Sequence, residues 1–248
     1  MIGQIRSRRL CRPGASAVNC RLATGYFMTD IDFSDTLAFI PKEEKPRLLF
    51  VLLHGEAAGP EQLFSLADAI KRTFPLAMLI LPPAQHEPQL EALVAFIRRV
   101  QHHYGISGEH TALAGFSQGA RMALEASRLH ADLAGRVLAF SGLYCEKPAA
   151  LPPTTTIHLF HGANDLLLPL QEVEAMMQHL GTIQADATVD VATQVGHEMH
   201  AALIEQAIVR LQTCVPLRSW QAAYGELQER EKESEANPEQ TGEPPTLH

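Results

Sequence analysis

A chain of 248 residues with 46% hydrophobic content can bury one substantial core, and a single domain of that size is ordinary for an α/β protein. Its formal net charge of −8 and sequence pI near 5.8 offer no basic field for a polyanion, so no nucleic-acid partner is expected. No run of about 18 apolar residues occurs, so no transmembrane segment is expected. Cys11, Cys20, Cys145 and Cys214 are widely spaced and form no C-x-x-C pair, which reads as reduced thiols in a cytoplasmic setting rather than a disulfide framework or zinc site.

Residues 1–27 carry Arg6, Arg8, Arg9, Arg12 and Arg21 with no acidic residue before Asp30, a superficial likeness to a transit peptide. The reading adopted is a basic, disordered or non-native start with Met28 as initiator, followed by a catalytic domain over 28–225. Residues 29–33 and 36–40 predict two short strands across a turn at Ser34 and Asp35. The run 48–53 is the most apolar in the chain and predicts a strand covered on both faces, ending at His54-Gly55-Glu56. A helix is predicted over 60–73, with Leu63, Leu66, Ala67 and Ile70 on one face, then a strand over 76–81 stopped by Pro82 and Pro83. Residues 88–104 predict a second helix, with Leu90, Leu93, Val94, Ile97 and Val100 inward.

The next segment organises the chain. Residues 111–116 predict a buried strand, Gly115-Phe116-Ser117-Gln118-Gly119 follows, and Ala120, Met122, Ala123, Leu124 and Ala126 begin a helix. Strand, G-x-S-x-G and helix together describe a nucleophile elbow, in which a serine sits on a strained turn with its hydroxyl exposed at the strand's carboxyl end. The five-residue pattern turns up by chance in roughly one chain in a dozen of this length at ordinary glycine frequencies. It therefore needs partners. Beyond it, strands are predicted over 136–140, 155–160 and 187–192, with helices over 171–180 and 199–214. Strands alternating with helices predict a mainly parallel central sheet with helices on both faces. Trp220, Ala223, Tyr224 and Leu227 suggest a short terminal helix, and 226–248 reads as a disordered charged tail.

A serine nucleophile requires a base and a carboxylate to orient it. Asp165 lies in the loop after the strand at 155–160, and His197 in the loop between the strand at 187–192 and the last helix. Serine, acid and histidine thus occur in the chain order of this fold, each on a strand-to-helix loop. The backbone N–H of Gln118 and that of Glu56, after the His-Gly pair, are the candidate oxyanion donors, with the Glu56 carboxylate expected to point away. His54 reads as a structural histidine bonding backbone in its turn. Leu166, Leu167 and Leu168 fit either a pocket lining or the core. Glu198 and His200 depart from zincin spacing and lack a third ligand, so no metal is expected; His86, His102, His103 and His110 read as surface or loop residues.

Taken together, G-F-S-Q-G-A, H-G-A-N-D and G-H resemble the carboxylesterase and acyl-protein thioesterase branch of the α/β-hydrolases, most of all the bacterial YpfH-type esterases. The resemblance runs from about Leu48 to Tyr224. It implies an α/β-hydrolase fold and no cofactor, with Ser117 as nucleophile, His197 as base, Asp165 as orienter, and Gln118 and Glu56 as oxyanion donors. The substrate it implies is a small or medium carboxylic ester, with thioesters in the same reach. A catalytically silent binding or regulatory protein, and a peptidase or transacylase, are the alternatives. Members of the branch carry a longer loop after the strand that here ends near Leu81, with a tryptophan walling the site. This chain passes from Pro83 to Pro88 almost at once, and its only tryptophan is Trp220, which predicts a wider or more open acyl pocket.

Overall fold

The computed structural model describes residues 36–42, 44–56, 58–83 and 90–214. They form a seven-stranded sheet whose strands are β1 (Leu37–Phe39), β2 (Leu48–Leu53), β3 (Ala77–Leu81), β4 (Thr111–Phe116), β5 (Arg136–Phe140), β6 (Thr156–Gly162) and β7 (Ala187–Ala192). The order across the sheet is β1-β3-β2-β4-β5-β6-β7, parallel throughout except for β1, which pairs antiparallel with β3. The chain moves outward from β2 to β3 and then returns to the other side of β2 for β4. That reversal opens a crevice at the carboxyl ends of β2 and β4, where α/β sheets bind ligands.

Side-chain alternation along the strands divides the core in two. Leu49, Val51, Leu53, Leu113, Val137 and Leu159 face helices α2 (Leu90–Tyr104), α3 (Gln118–Leu129) and α4 (Leu170–Thr182). Phe50, Leu52, Ala114, Phe116, Leu138, Phe140 and Phe160 face α1 (Phe64–Thr73) and α5 (Ala201–Thr213). Each central strand is apolar on both faces because each face is roofed by helices, which is why 48–53 reads as an uninterrupted apolar run.

Several boundaries differ from the sequence expectations. Residues 60–63 wind as a 3-10 turn before α1, since Pro60 at its start has no N–H to donate and the chain enters the helix only at Phe64. Strand β6 runs two residues beyond 160, because His161 and Gly162 pair with Val191 and Ala192 of β7. Strand β1 finds its partner in β3 at the sheet edge; residues 29–33, expected to pair with it, lie outside the described residues, as do 1–27, 84–89, Trp220 and the tail. Among the described residues no helix is long and apolar enough to cross a membrane.

Candidate active site

Ser117 sits between β4 and α3 at φ 54° and ψ −114°, a conformation that costs about 1–3 kcal/mol for a residue with a Cβ. The neighbouring structure holds it there. Its N–H donates to the Phe140 carbonyl at 2.8 Å, and its carbonyl accepts from Arg121 at 3.1 Å. The flanking glycines are required by close approach: a Cβ on Gly115 would overlap the backbone of Gly119, and one on Gly119 would overlap the Leu53 carbonyl. As the first residue of α3, Gln118 has an N–H with no intrahelical acceptor, at the positive end of the helix dipole.

His197 brings the other two groups together. Its Nε2 lies 3.0 Å from Ser117 Oγ and its Nδ1 lies 2.7 Å from Asp165 Oδ2. A carboxylate only accepts, so Nδ1 carries the proton; in the neutral ring Nε2 is then the acceptor, and the Ser117 hydroxyl donates to it. The ring is steadied by Phe116, whose centroid is 4.8 Å away. Asp165 is buried, and its other oxygen accepts the N–H groups of Leu167 and Leu168, each at 2.9 Å. Burial alone would raise this carboxyl, but the Leu168 N–H, the His197 ring and the Leu167 N–H outweigh it and hold the group below the usual carboxylate range. The acid therefore stays ionised beside the imidazole.

One contributor was not legible in the sequence. His161, on the last turn of β6 pairing, is buried, and its Nε2–H donates to the Leu168 carbonyl at 2.8 Å, bracing the loop that bears Asp165. Burial pushes its pKa down, so it stands as a neutral donor. Its place in H-G-A-N-D was visible, but its inward orientation depends on a strand continuing past 160. His54 bonds within its own turn, Nδ1 to the Gly55 carbonyl at 2.9 Å, as a structural histidine would.

A cavity of about 630 Å³ opens over the serine, and Glu56, Ser117, Gln118 and His197 all line it. The leucines after Asp165 divide. Leu168 is half-buried against the core and also lines the cavity, Leu167 lines it at 78% exposure, and Leu166 is 92% exposed. The Leu167 and Leu168 N–H groups turn in toward Asp165, and the side chains of Leu166 and Leu167 stand outside. His200 caps α5, its Nδ1 accepting from the Ala202 N–H at 3.2 Å. Among the described residues no group of three or more histidine, cysteine or carboxylate side chains is placed to hold a metal. His110 is exposed, with Nδ1 2.8 Å from Ser107 Oγ.

A family profile described as phospholipase/carboxylesterase matches residues 88–215. Esterase YpfH from Escherichia coli strain K12 is 28% identical over 203 residues, covering 71% of this chain and 88% of that protein. Among solved structures, that of esterase PE8 superposes with a TM-score of 0.64 at 22% identity, over 73% of this chain and 99% of its own. A phospholipase/carboxylesterase from Dyadobacter fermentans superposes with a TM-score of 0.59 at 20% identity, over 72% and 96%. The structural likenesses carry the α/β-hydrolase fold.

Proposed function

The chain belongs to the phospholipase/carboxylesterase family and is a carboxylic ester hydrolase, and from that premise we propose that it works as a serine hydrolase through an acyl-enzyme on Ser117. The observation that carries this reading is the unbroken hydrogen-bonded line from Ser117 Oγ through His197 to Asp165. His197 Nε2 takes the hydroxyl proton as Oγ attacks the ester carbonyl carbon, and Asp165 stabilises the imidazolium that forms. The carbonyl oxygen becomes an oxyanion, received by the N–H groups of Gln118 and Glu56. On collapse the C–O bond to the alcohol breaks, and the departing oxygen takes the proton from His197. Water then attacks the acyl-enzyme by the same route, releasing the acid and restoring Ser117.

Small and medium carboxylic esters are the proposed substrates, with thioesters cleaved by the same steps. Residues 28–225 are proposed as the catalytic domain and the cytoplasm as the place of action. Replacing Ser117 by Ala should lower hydrolysis of p-nitrophenyl acetate by roughly 10⁴-fold or more while leaving the circular dichroism spectrum unchanged. Turnover within tenfold of the parent protein would sink the assignment.

A further inference from the structure

Ser141 repeats, one strand over, the backbone conformation that holds Ser117. Phe116 and Phe140 are partners in the register of β4 and β5, and each is followed by a serine in left-handed backbone, Ser117 at φ 54° and Ser141 at φ 46°. Their N–H groups are used alike: Ser117 donates to the Phe140 carbonyl at 2.8 Å and Ser141 to the Phe160 carbonyl at 2.9 Å. Adjacent strands run about 4.8 Å apart, which sets the two serines side by side at the head of the sheet. Gly142 keeps them close, since a Cβ there would overlap the Ser117 carbonyl and the Ala120 side chain. Ser117 uses its strained turn to present a hydroxyl to His197, whereas the Ser141 hydroxyl has no such employment. Ser141 is 2% exposed and lines the cavity over Ser117, and among the described residues its Oγ has no hydrogen-bond partner. A left-handed serine and a buried, unsatisfied hydroxyl each cost stability, and both fall on one residue of the cavity wall. Glycine would remove the first cost and alanine the second.

We propose that Ser141 is a specificity-determining residue, whose hydroxyl turns about χ1 into the cavity and hydrogen-bonds a polar substituent on the α-carbon of the acyl group, so that 2-hydroxyacyl esters are the favoured substrates. This deepens the serine-hydrolase reading and rests on it. Placement follows from the strand order. Glu56 hangs from the end of β2 and Ser141 from the end of β5, on opposite sides of β4, so the ester's carbonyl oxygen turns toward the first and the other groups on its carbonyl carbon toward the second. Of those groups, the alcohol oxygen must reach His197 Nε2, which stands with Phe116 on the α1/α5 side of the sheet. The cavity wall beside Ser141 is built by Arg121 of α3 and by Ala175 and Met176 of α4, on the other side, and receives the acyl group. The first acyl carbon is then the one beside Ser141. A hydroxyl on that carbon gives the buried serine its partner, whereas a methylene leaves it unsatisfied, and a site that hydrogen-bonds a substrate hydroxyl discriminates more sharply than one that adds apolar contact.

The test uses phenyl lactate and phenyl propionate, which share a leaving group and an acyl chain length and differ in one α-hydroxyl; the two lactate enantiomers are assayed separately. In the full-length protein kcat/KM should be at least about tenfold higher for the better lactate enantiomer than for propionate, in keeping with one satisfied buried hydroxyl. Ser141→Ala removes the hydroxyl and Ser141→Gly removes it together with the left-handed strain, and each should bring that ratio to within about threefold of unity. Because the hydroxyl is unsatisfied in the free protein, the Ala variant should unfold at a urea concentration no lower than the parent. A parent ratio near unity, or a ratio that both variants leave as in the parent, overturns the role of Ser141 while the serine-hydrolase reading stands; an unchanged ratio with a lowered urea midpoint marks Ser141 as a structural residue. Turnover of both esters that survives Ser117→Ala overturns the serine-hydrolase reading and this inference with it.

Discussion

His161 shows how much of this site is settled by a residue that touches no substrate. Its imidazole N–H holds the Leu168 carbonyl, while the Leu167 and Leu168 N–H groups hold Asp165, so the acid is clamped from both directions of one short loop. His161→Phe should reduce kcat by about tenfold with KM little changed, because an orienting partner is loosened rather than a contact to substrate. Gln at 161, which keeps a donor, should recover most of the loss. An unchanged kcat in the Phe variant would show that the loop stands without this bond. Asp165→Asn should be far more severe, in the region of 10⁴-fold in kcat, since an amide favours the wrong imidazole tautomer. Steady-state kinetics on p-nitrophenyl acetate separates the two. The serine, aspartate and histidine were legible because their chemistry demands a set order and loop position. His161 was not, because its role comes from burial, which a residue's identity does not report.

Strand β6 carries the most informative element-scale feature. His158 is fully buried in its middle, with Nδ1 2.8 Å from Thr188 Oγ1 of β7. Burial, followed by the nearby Arg136 and Arg210 guanidinium groups, pushes its pKa down to about 4 from 6.5. The ring is therefore neutral in the folded protein while the unfolded chain takes up a proton first. Stability is fully present above about pH 6.5, declines as pH falls, and this contribution is exhausted below about pH 4, a loss of at most about 3 kcal/mol. His158→Gln should make the drop in urea-unfolding free energy between pH 7 and about pH 4.5 smaller by about 2 kcal/mol. An identical drop in both proteins would show that this histidine does not couple to folding. Elements built on local signals were legible: β2, β4, β5, β7 and α3 lie where apolar runs and glycines put them. The end of β6 and the partner of β1 were not, because each depends on pairing with a strand distant in sequence.

At the scale of the whole molecule, the site and the core are one construction. Ser117, Asp165 and His197 hang from the ends of β4, β6 and β7, and those strands are held by the same two apolar layers. Phe140 and Phe160 stack at 4.7 Å within one layer, both fully buried. Phe160→Ala should lower stability by about 3–5 kcal/mol through lost burial and the cavity left behind. Because the loops bearing Ser117, Asp165 and His197 are anchored in the same core, esterase activity and far-ultraviolet circular dichroism should be lost at the same urea concentration in that variant and in the parent. Activity disappearing well before secondary structure would show that the loops open on their own.

We propose that Ser117 is an activated nucleophile because His197 and Asp165 are aligned behind it. A fluorophosphonate probe tests this without a choice of substrate, since it reacts with a serine only where a base has raised its nucleophilicity. Mass spectrometry of the labelled full-length protein should place a single adduct on the peptide containing Ser117, and His197→Ala should abolish it. A folded, unlabelled protein, or an adduct that persists without His197, would contradict the account.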